Sequence, residues 1–334
     1  MSADHRIAVL GGGRSSEHEV SLASAASVAA GLREAGHTVL EVEVGRDGAW
    51  RAGGCELSFS PGRGWEGIDV VFPVLHGPFG EDGTVQGLLE LLGVPYVGAG
   101  VLASAACMDK IVFKELMAAA GIPQVDYRAV SARDWELNPE GVLATVGELG
   151  LPLFVKPARL GSSVGIGRVL ESGDLRPALA EAFAHDPLVI AEASATGIEV
   201  ECSVLGNDDP IVSSPGEILL AAGESGWYDY EAKYTPGAME LIVPARISDS
   251  ARERVQELAG AAFVRSGCAG LARADFFVDG ELVLVNELNT MPGFTETSVY
   301  AALFAASGVP YPELLDRLVQ FALERHQRQR GYSF

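Results

Sequence analysis

Leu271-Ala272-Arg273-Ala274-Asp275-Phe276-Phe277-Val278-Asp279-Gly280-Glu281-Leu282-Val283-Leu284-Val285-Asn286-Glu287-Leu288-Asn289 decides how the rest of the chain is read. Two apolar runs, Leu271 to Val278 and Glu281 to Leu288, flank Asp279 and Gly280, the pattern of a β-hairpin. Within them stand Arg273, Asp275, Glu287 and Asn289. A charge inside a hydrophobic strand is costly unless it is paired or bound to a cation, and oxygen donors suit magnesium or manganese. A structural ion pair between Arg273 and an acid is the competing reading.

Strand side chains alternate between faces, so the turn sets which of these groups can meet. A two-residue turn at Asp279 and Gly280 would put Asp275 and Glu287 on opposite faces. A three-residue loop, Val278 to Gly280 with Gly280 left-handed, pairs Phe277 with Glu281 and brings Asp275, Glu287 and Asn289 to one face. The odd-length loop is the expectation.

Outward from the hairpin, strand and helix signals alternate. Ile7 to Leu10 runs into Gly11, Gly12 and Gly13, then Ser15 or Ser16 as a cap and a helix towards Ala35. Thr38 to Val44 and Val70 to Leu75 read as further strands, and the repeated units imply an α/β fold with a parallel sheet. A helix from about Met108 to Ala120 follows a boundary near residue 100. Strands near Val125 to Val130 and Pro152 to Lys156 and a helix near Leu175 to Ala184 fill a middle lobe. The strand Leu188 to Glu192 opens the last one, which ends in a helix from Tyr311 to Arg325. Three units are expected: 1–100, 101–190 and 191–334. Within the third, the aromatic, glycine-containing stretch 219–236 is too long for an idle connection and reads as a lid.

The chain's 334 residues exceed one ordinary core. Its 24 basic and 45 acidic residues give a formal charge of -21, which would repel nucleic acid and anionic membranes. Cys55, Cys107, Cys202 and Cys268 are widely spaced, without zinc-type pairs, and read as buried thiols in a reducing cytoplasm. No signal-peptide segment or membrane-spanning run is evident, so a cytoplasmic protein is expected.

Two glycine-rich segments bear on nucleotide chemistry. Lys156 ends a strand and precedes Gly161-Ser162-Ser163-Val164-Gly165, whose amides could wrap phosphate oxygens, with Lys110 as a second cation. The order is not that of a P-loop, and alone such a turn is more often just a turn. Gly98, Gly100 and Ala103 match G-x-G-x-x-A, but no acidic residue follows at the required distance of about 20, which leaves a dehydrogenase poorly supported.

Read together, the blocks resemble the D-alanine:D-alanine ligase family of ATP-grasp enzymes. They are Gly11-Gly12-Gly13-Arg14-Ser15-Ser16-Glu17-His18-Glu19-Val20-Ser21, His76-Gly77-Pro78-Phe79-Gly80-Glu81-Asp82-Gly83, Met108-Asp109-Lys110, Val155-Lys156-Pro157, Gly161-Ser162-Ser163, Tyr228-Asp229-Tyr230-Glu231-Ala232-Lys233-Tyr234 and Asn289-Thr290-Met291-Pro292-Gly293-Phe294-Thr295. The resemblance covers almost the whole chain. It implies a three-domain ATP-grasp architecture, with an N-terminal Rossmann-like domain and two α+β ATP-grasp lobes, and ATP clasped between the central and C-terminal lobes.

By motif position, the resemblance gives Lys110, Lys156 and Ser163 to the phosphates, and Glu192, Ala195 and Glu199 to the adenine and ribose. Asp275, Glu287 and Asn289 would hold two Mg2+ or Mn2+ ions. Arg273 and the Gly293 amide would stabilise the oxyanion, and Glu17 would receive the first substrate's ammonium. Ser162 and Tyr234 would link to Glu17 and hold the lid closed. Ser298, Lys233 and His76 would border the second substrate. Ile198, where arginine is frequent, and Ala193, where a bulkier residue is usual, depart from the pattern near the nucleotide hinge.

The activity implied is ATP-dependent joining of two D-alanines through a D-alanyl phosphate, yielding D-alanyl-D-alanine, ADP and phosphate for peptidoglycan precursors, by a cytoplasmic homodimer. A related ligase that uses D-lactate or D-serine is the alternative, and a non-catalytic nucleotide-binding protein is a third reading. The segment around Lys233 and Tyr234 argues against lactate.

Overall fold

The computed structural model describes residues 4–161, 164–220 and 239–333. Strands β1 (Arg6–Gly12), β2 (Thr38–Val44), β3 (Trp50–Ala52), β4 (Cys55–Glu56) and β5 (Val70–Pro73) form a sheet in the order β4-β3-β2-β1-β5. β1 pairs in parallel with β2 and β5. That is why Ile7, Ala8, Val9 and Leu10 are all buried, for a central parallel strand is covered on both faces. The expected parallel sheet is thus its core, but β3 and β4 add an antiparallel edge that the sequence reading did not include.

Helix α1 (His18–Glu34) follows β1, and α2 (Thr84–Leu92) follows β5. The N-cap position of α1 is held by Glu17 and not by Ser15 or Ser16, and no side chain caps the helix there. Ser15 Oγ instead accepts from the Glu17 amide and donates to the His76 carbonyl. The helix expected from about Met108 to Ala120 is α4 (Lys110–Ala119), and a further helix, α3 (Val101–Met108), precedes it. The break is Asp109, extended in backbone, whose carboxylate accepts from the Ile111 and Val112 amides.

β6 (Tyr127–Ser131), α5 (Ala132–Leu137), α6 (Pro139–Gly147), β7 (Leu153–Pro157), β8 (Gly167–Val169), α7 (Leu175–Phe183) and β9 (Leu188–Ala193) make a second, antiparallel sheet ordered β6-β9-β7-β8. The strand from Leu188, read as opening the last lobe, lies inside this sheet, where it pairs with both β6 and β7.

The third sheet runs β13-β12-β10-β14-β15, with β11 paired to β10. Its elements are β10 (Ile198–Gly206), β11 (Ile211–Val212), β12 (Gly216–Leu220), β13 (Met239–Ile242), α8 (Asp249–Arg265), β14 (Gly270–Asp279) and β15 (Leu282–Asn289), followed by α9 (Val299–Ala306) and α10 (Tyr311–Gln329). Most of the expected lid, from 221 onward, lies outside the described residues, as do Ser162 and Ser163. Leu220 and Met239, which flank that stretch, are paired.

The ends of the chain meet in one core. Ile7, Val9, Val28 and Phe72 pack with Met291, Phe294, Tyr300, Leu314 and Leu318. Phe294 lies against the rings of Phe72, Tyr300 and Tyr311, so Phe294→Ala would cost about 3–5 kcal/mol. Among the described residues no helix is long and apolar enough to cross a membrane. Cys107, Cys202 and Cys268 are buried as expected, whereas Cys55 is exposed.

Candidate active site

The hairpin brings its four polar groups to one face by a route other than the expected loop. Its turn is the two residues Gly280 and Glu281, between paired Asp279 and Leu282. Val283 lies opposite Val278, so the pairing is not the one the three-residue loop would give. Asp275 and Glu287 nevertheless stand opposite each other, because the register slips between Asp275 and Phe276 and leaves Asn286 as an extra residue. A β-bulge of this kind switches which alternating side chains face a given side.

On that face Arg273 Nε and Nη2 donate to the two oxygens of Asp275, each at 2.7 Å. Asn289 Nδ2 donates to Asp275 Oδ2 at 3.0 Å. The competing ion-pair reading of Arg273 is therefore real in geometry. The pair also has a third member that sequence reasoning missed: Glu201 Oε2, 2.8 Å from Arg273 Nε. Glu201, Asp275 and Glu287 form one row across β10, β14 and β15, with Ser203, Arg273 and Asn289 as the adjacent row. The signal that could have found Glu201 is its position as an acid within the apolar run Val200 to Leu205.

The second sheet faces this row with cations. Lys156, on β7, and Glu192, on β9, project from the same face and form an ion pair. Lys114 Nζ, fully buried on α4, lies 2.9 Å from the other oxygen of Glu192. Burial opposes ionisation of Glu192, but Lys156 and Lys114 outweigh it and bring its pKa down to about 2. Burial likewise opposes the charge on Lys156, and Glu192 more than offsets it, raising that pKa. Lys110, in the first turn of α4, donates from Nζ to the Leu160 carbonyl at 2.7 Å. Ala195 and Glu199 line the same cleft.

The first sheet supplies the third wall. Glu17 sits at the N-terminus of α1, yet its carboxylate makes no hydrogen bond to the first-turn amides, so it is not a capping acid. It is turned into the cleft, against Gly77 and Gly161. His76 is buried: Nδ1–H donates to the Met291 carbonyl at 3.0 Å, and Nε2 lies 3.1 Å from Ser24 Oγ. Burial lowers the His76 pKa against the pull of Glu17, keeping the ring neutral, and Ser24 Oγ then donates to Nε2 while accepting from the Phe294 amide. Glu81, in the same block and not singled out from the sequence, accepts from the Gly77 amide at 2.8 Å. Burial, and then the charge of Glu17, push Glu81 up to about 8.

Gly293 and Ser298 complete the floor of the cleft, where Ser298 Oγ accepts from the Thr295 amide at 3.0 Å. The cleft encloses about 1010 Å³. It brings together every expected site residue that the structure describes. Ser162, Ser163, Lys233 and Tyr234 lie outside the described residues.

Two antiparallel sheets facing each other across a charged cleft, beside a parallel-sheet unit that lends Glu17 and His76, define an ATP-grasp ligase. The D-ala D-ala ligase N-terminus model matches residues 6–64 and 51–99, and the D-ala D-ala ligase C-terminus model matches residues 116–320. A D-alanine–D-alanine ligase of Deinococcus radiodurans is 48% identical, covering 96% of this chain and 98% of its own length. One of Geobacillus kaustophilus is 44% identical, covering 98% and 97%. In structure, the D-alanine–D-alanine ligase from Coxiella burnetii superposes with a TM-score of 0.88 at 36% identity, covering 99% of this chain and 97% of that one. The VanG D-Ala:D-Ser ligase from Enterococcus faecalis gives 0.85 at 37%, covering 96% and 100%. The chain belongs to the D-alanine–D-alanine ligase family.

Proposed function

We propose that this chain joins two D-alanines at the expense of ATP. The carrying observation is the row Asp275–Glu287, flanked by Arg273 and Asn289, which opens onto the same cleft as Lys156 and Glu17. In the first step a D-alanine carboxylate oxygen attacks the terminal phosphorus of ATP; the bond to the bridging oxygen breaks and ADP leaves. In the second, the amine of another D-alanine attacks the acyl carbon, the carbonyl electrons move onto oxygen, and phosphate departs as the carbonyl re-forms and the amine loses a proton.

Glu17, at the N-terminus of α1, receives the first substrate's ammonium. Lys110, Lys156 and Ser163 hold phosphates, while Glu192, Ala195 and Glu199 border the base and sugar. Arg273 and the Gly293 amide stabilise the oxyanion of the second step, where charge accumulates. His76, Ser298 and Lys233 border the second amino acid. Ser162 and Tyr234, outside the described residues, are assigned by the family resemblance to a link between the lid, 219–236, and Glu17.

Asp275, Glu287 and Asn289 offer oxygen donors and fit two Mg2+ or Mn2+ ions. Among the described residues no group of three His, Cys, Asp or Glu forms a ready cage, and magnesium uses one or two carboxylates together with substrate phosphates. The ions would neutralise phosphate charge as it builds.

We place the reaction in the cytoplasm, where ATP and peptidoglycan precursors are made, and divide the chain into units at about 100 and, since β9 belongs to the second sheet, after Ala193 in place of 190. For the homodimer we point to the exposed apolar side chains of Leu91 on α2 and Leu102 on α3, 66% and 81% exposed, which a second copy would cover. Light scattering at micromolar concentration tests it, with a monomer as the refuting result.

A second reading, D-alanyl-D-serine synthesis, is favoured by the likeness to the D-Ala:D-Ser ligase. Mass spectrometry of products from equimolar D-alanine, D-serine and D-lactate with ATP and magnesium decides between them. D-alanyl-D-alanine as the main product is expected. A predominance of either mixed product would overturn the assignment.

A further inference from the structure

Glu192 is gripped by two lysines that differ in one respect. Lys156 is 14% exposed and lines the cleft, whereas the side chain of Lys114 is 1% exposed and does not reach it. The three groups carry two positive charges and one negative, so the cluster holds a surplus of one. Only Lys156 can offer that surplus to an anion entering the cleft.

The two contacts are also separate. Lys114 takes Oε1 of Glu192 at 2.9 Å and Lys156 takes Oε2. Lys114 is fixed from other sides, with Nζ 5.7 Å above the Tyr127 ring and its own carbonyl accepting from Gln124 Nε2 at 2.8 Å. Were Lys156 the lone partner of Glu192, turning its ammonium towards a phosphate would strand a buried carboxylate, which is costly. With Lys114 in place the carboxylate keeps a counter-ion and its position while Lys156 shifts.

We propose that Lys114 is a positioning residue for nucleotide binding: it holds Glu192 so that Lys156 is released to the phosphates. The inference rests on the ATP-dependent reading above. Lys114 touches no substrate, and its effect passes through Glu192 alone. A lysine that merely pinned α4 to the sheet would act on stability and leave ADP affinity unchanged.

The test is titration calorimetry of the full-length protein with Mg–ADP, on Lys114→Met, Glu192→Gln and the double variant. Lys114→Met is expected to weaken ADP binding about tenfold, because Lys156 is then captured by Glu192, while the KM for D-alanine stays within about twofold. In the Glu192→Gln background the same replacement is expected to change ADP binding by less than about twofold, since no carboxylate remains to capture Lys156. If Lys114→Met fails to fold, Lys114→Gln, which keeps a hydrogen-bond donor for Glu192 without the charge, takes its place in both comparisons. Unaltered ADP binding by Lys114→Met, or a loss that persists equally without the Glu192 carboxylate, would overturn the proposal. If the parent chain bound ADP but formed no dipeptide, the ligase reading would fall while the calorimetric comparison still judged this one.

Discussion

Asp275 and Glu287 face each other because β15 carries Asn286 as one residue too many for its partner strand. The bulge turns Glu287 to the side on which Asp275 already stands, and so assembles a pair of carboxylates that an unbroken register would have separated.

Glu287→Gln therefore tests the pair without disturbing the strand, since the amide matches the carboxylate in shape. We expect kcat to fall by about a hundredfold or more, with circular dichroism and melting behaviour close to the parent. Unchanged turnover at saturating magnesium would show that this oxygen binds no ion the reaction needs.

Gly77 leaves room for Glu17. It has a φ of 72°, and a Cβ there would stand 2.6 Å from Glu17 Oε2. Gly77→Ala is expected to displace that carboxylate and raise the KM for the first D-alanine about tenfold, with ADP binding untouched. Steady-state kinetics resolved for the two amino acid sites check it, and an unaltered first-site KM would remove Glu17 from that role.

Glu81 should make stability depend on pH. Its pKa stands near 8 in the folded protein against 4.5 as an ordinary carboxyl, so between those values the folded chain keeps a proton that the unfolded chain has released. Stability then falls as pH rises through that window. Glu81→Gln removes the titration and is expected to gain about 1–3 kcal/mol over the parent at pH 8, with the gain shrinking towards pH 5. Urea unfolding at the two pH values measures this. Glu192 acts with the opposite sign: held near 2, it stabilises the fold above the ordinary carboxyl range and loses that contribution only as the solution is acidified towards 2.

Glu201 meets Arg273 at Nε, the nitrogen that also donates to Asp275. Glu201→Gln should leave Arg273 less well aimed and lower kcat about tenfold while ADP binding is preserved. A parallel loss of nucleotide affinity, measured by calorimetry, would mean that the residue supports the cleft as a whole and not the guanidinium.

Much of the site was legible because its residues break a rule. Arg273, Asp275 and Glu287 interrupt apolar strands, and Lys156 stands before a glycine-rich loop, so each announces itself locally. That Asp275 and Glu287 share a face was also legible, but the cause was not, because a bulge is set by strand pairing and Asn286 carries no mark of it. Lys114 was hidden for a different reason. In Lys110-Ile111-Val112-Phe113-Lys114 it reads as one more helix lysine, and only the packing of α4 on the second sheet buries it beside Glu192. The cap of α1 was misread because Ser15 has the right chemistry at the wrong position, its hydroxyl being committed to the His76 carbonyl. The antiparallel edge strands β3 and β4 are too short to show a period.

Ser24 joins His76 to the Phe294 amide, and Tyr311 on α10 donates to the Phe294 carbonyl. The wall that carries Glu17 and His76 is thus held by residues more than 200 positions further along the chain, for His76 donates to the Met291 carbonyl and α1 packs against α10. A change in the segment 291–294 or in α10 would therefore be felt at a wall built from the first sheet, although neither belongs to that sheet.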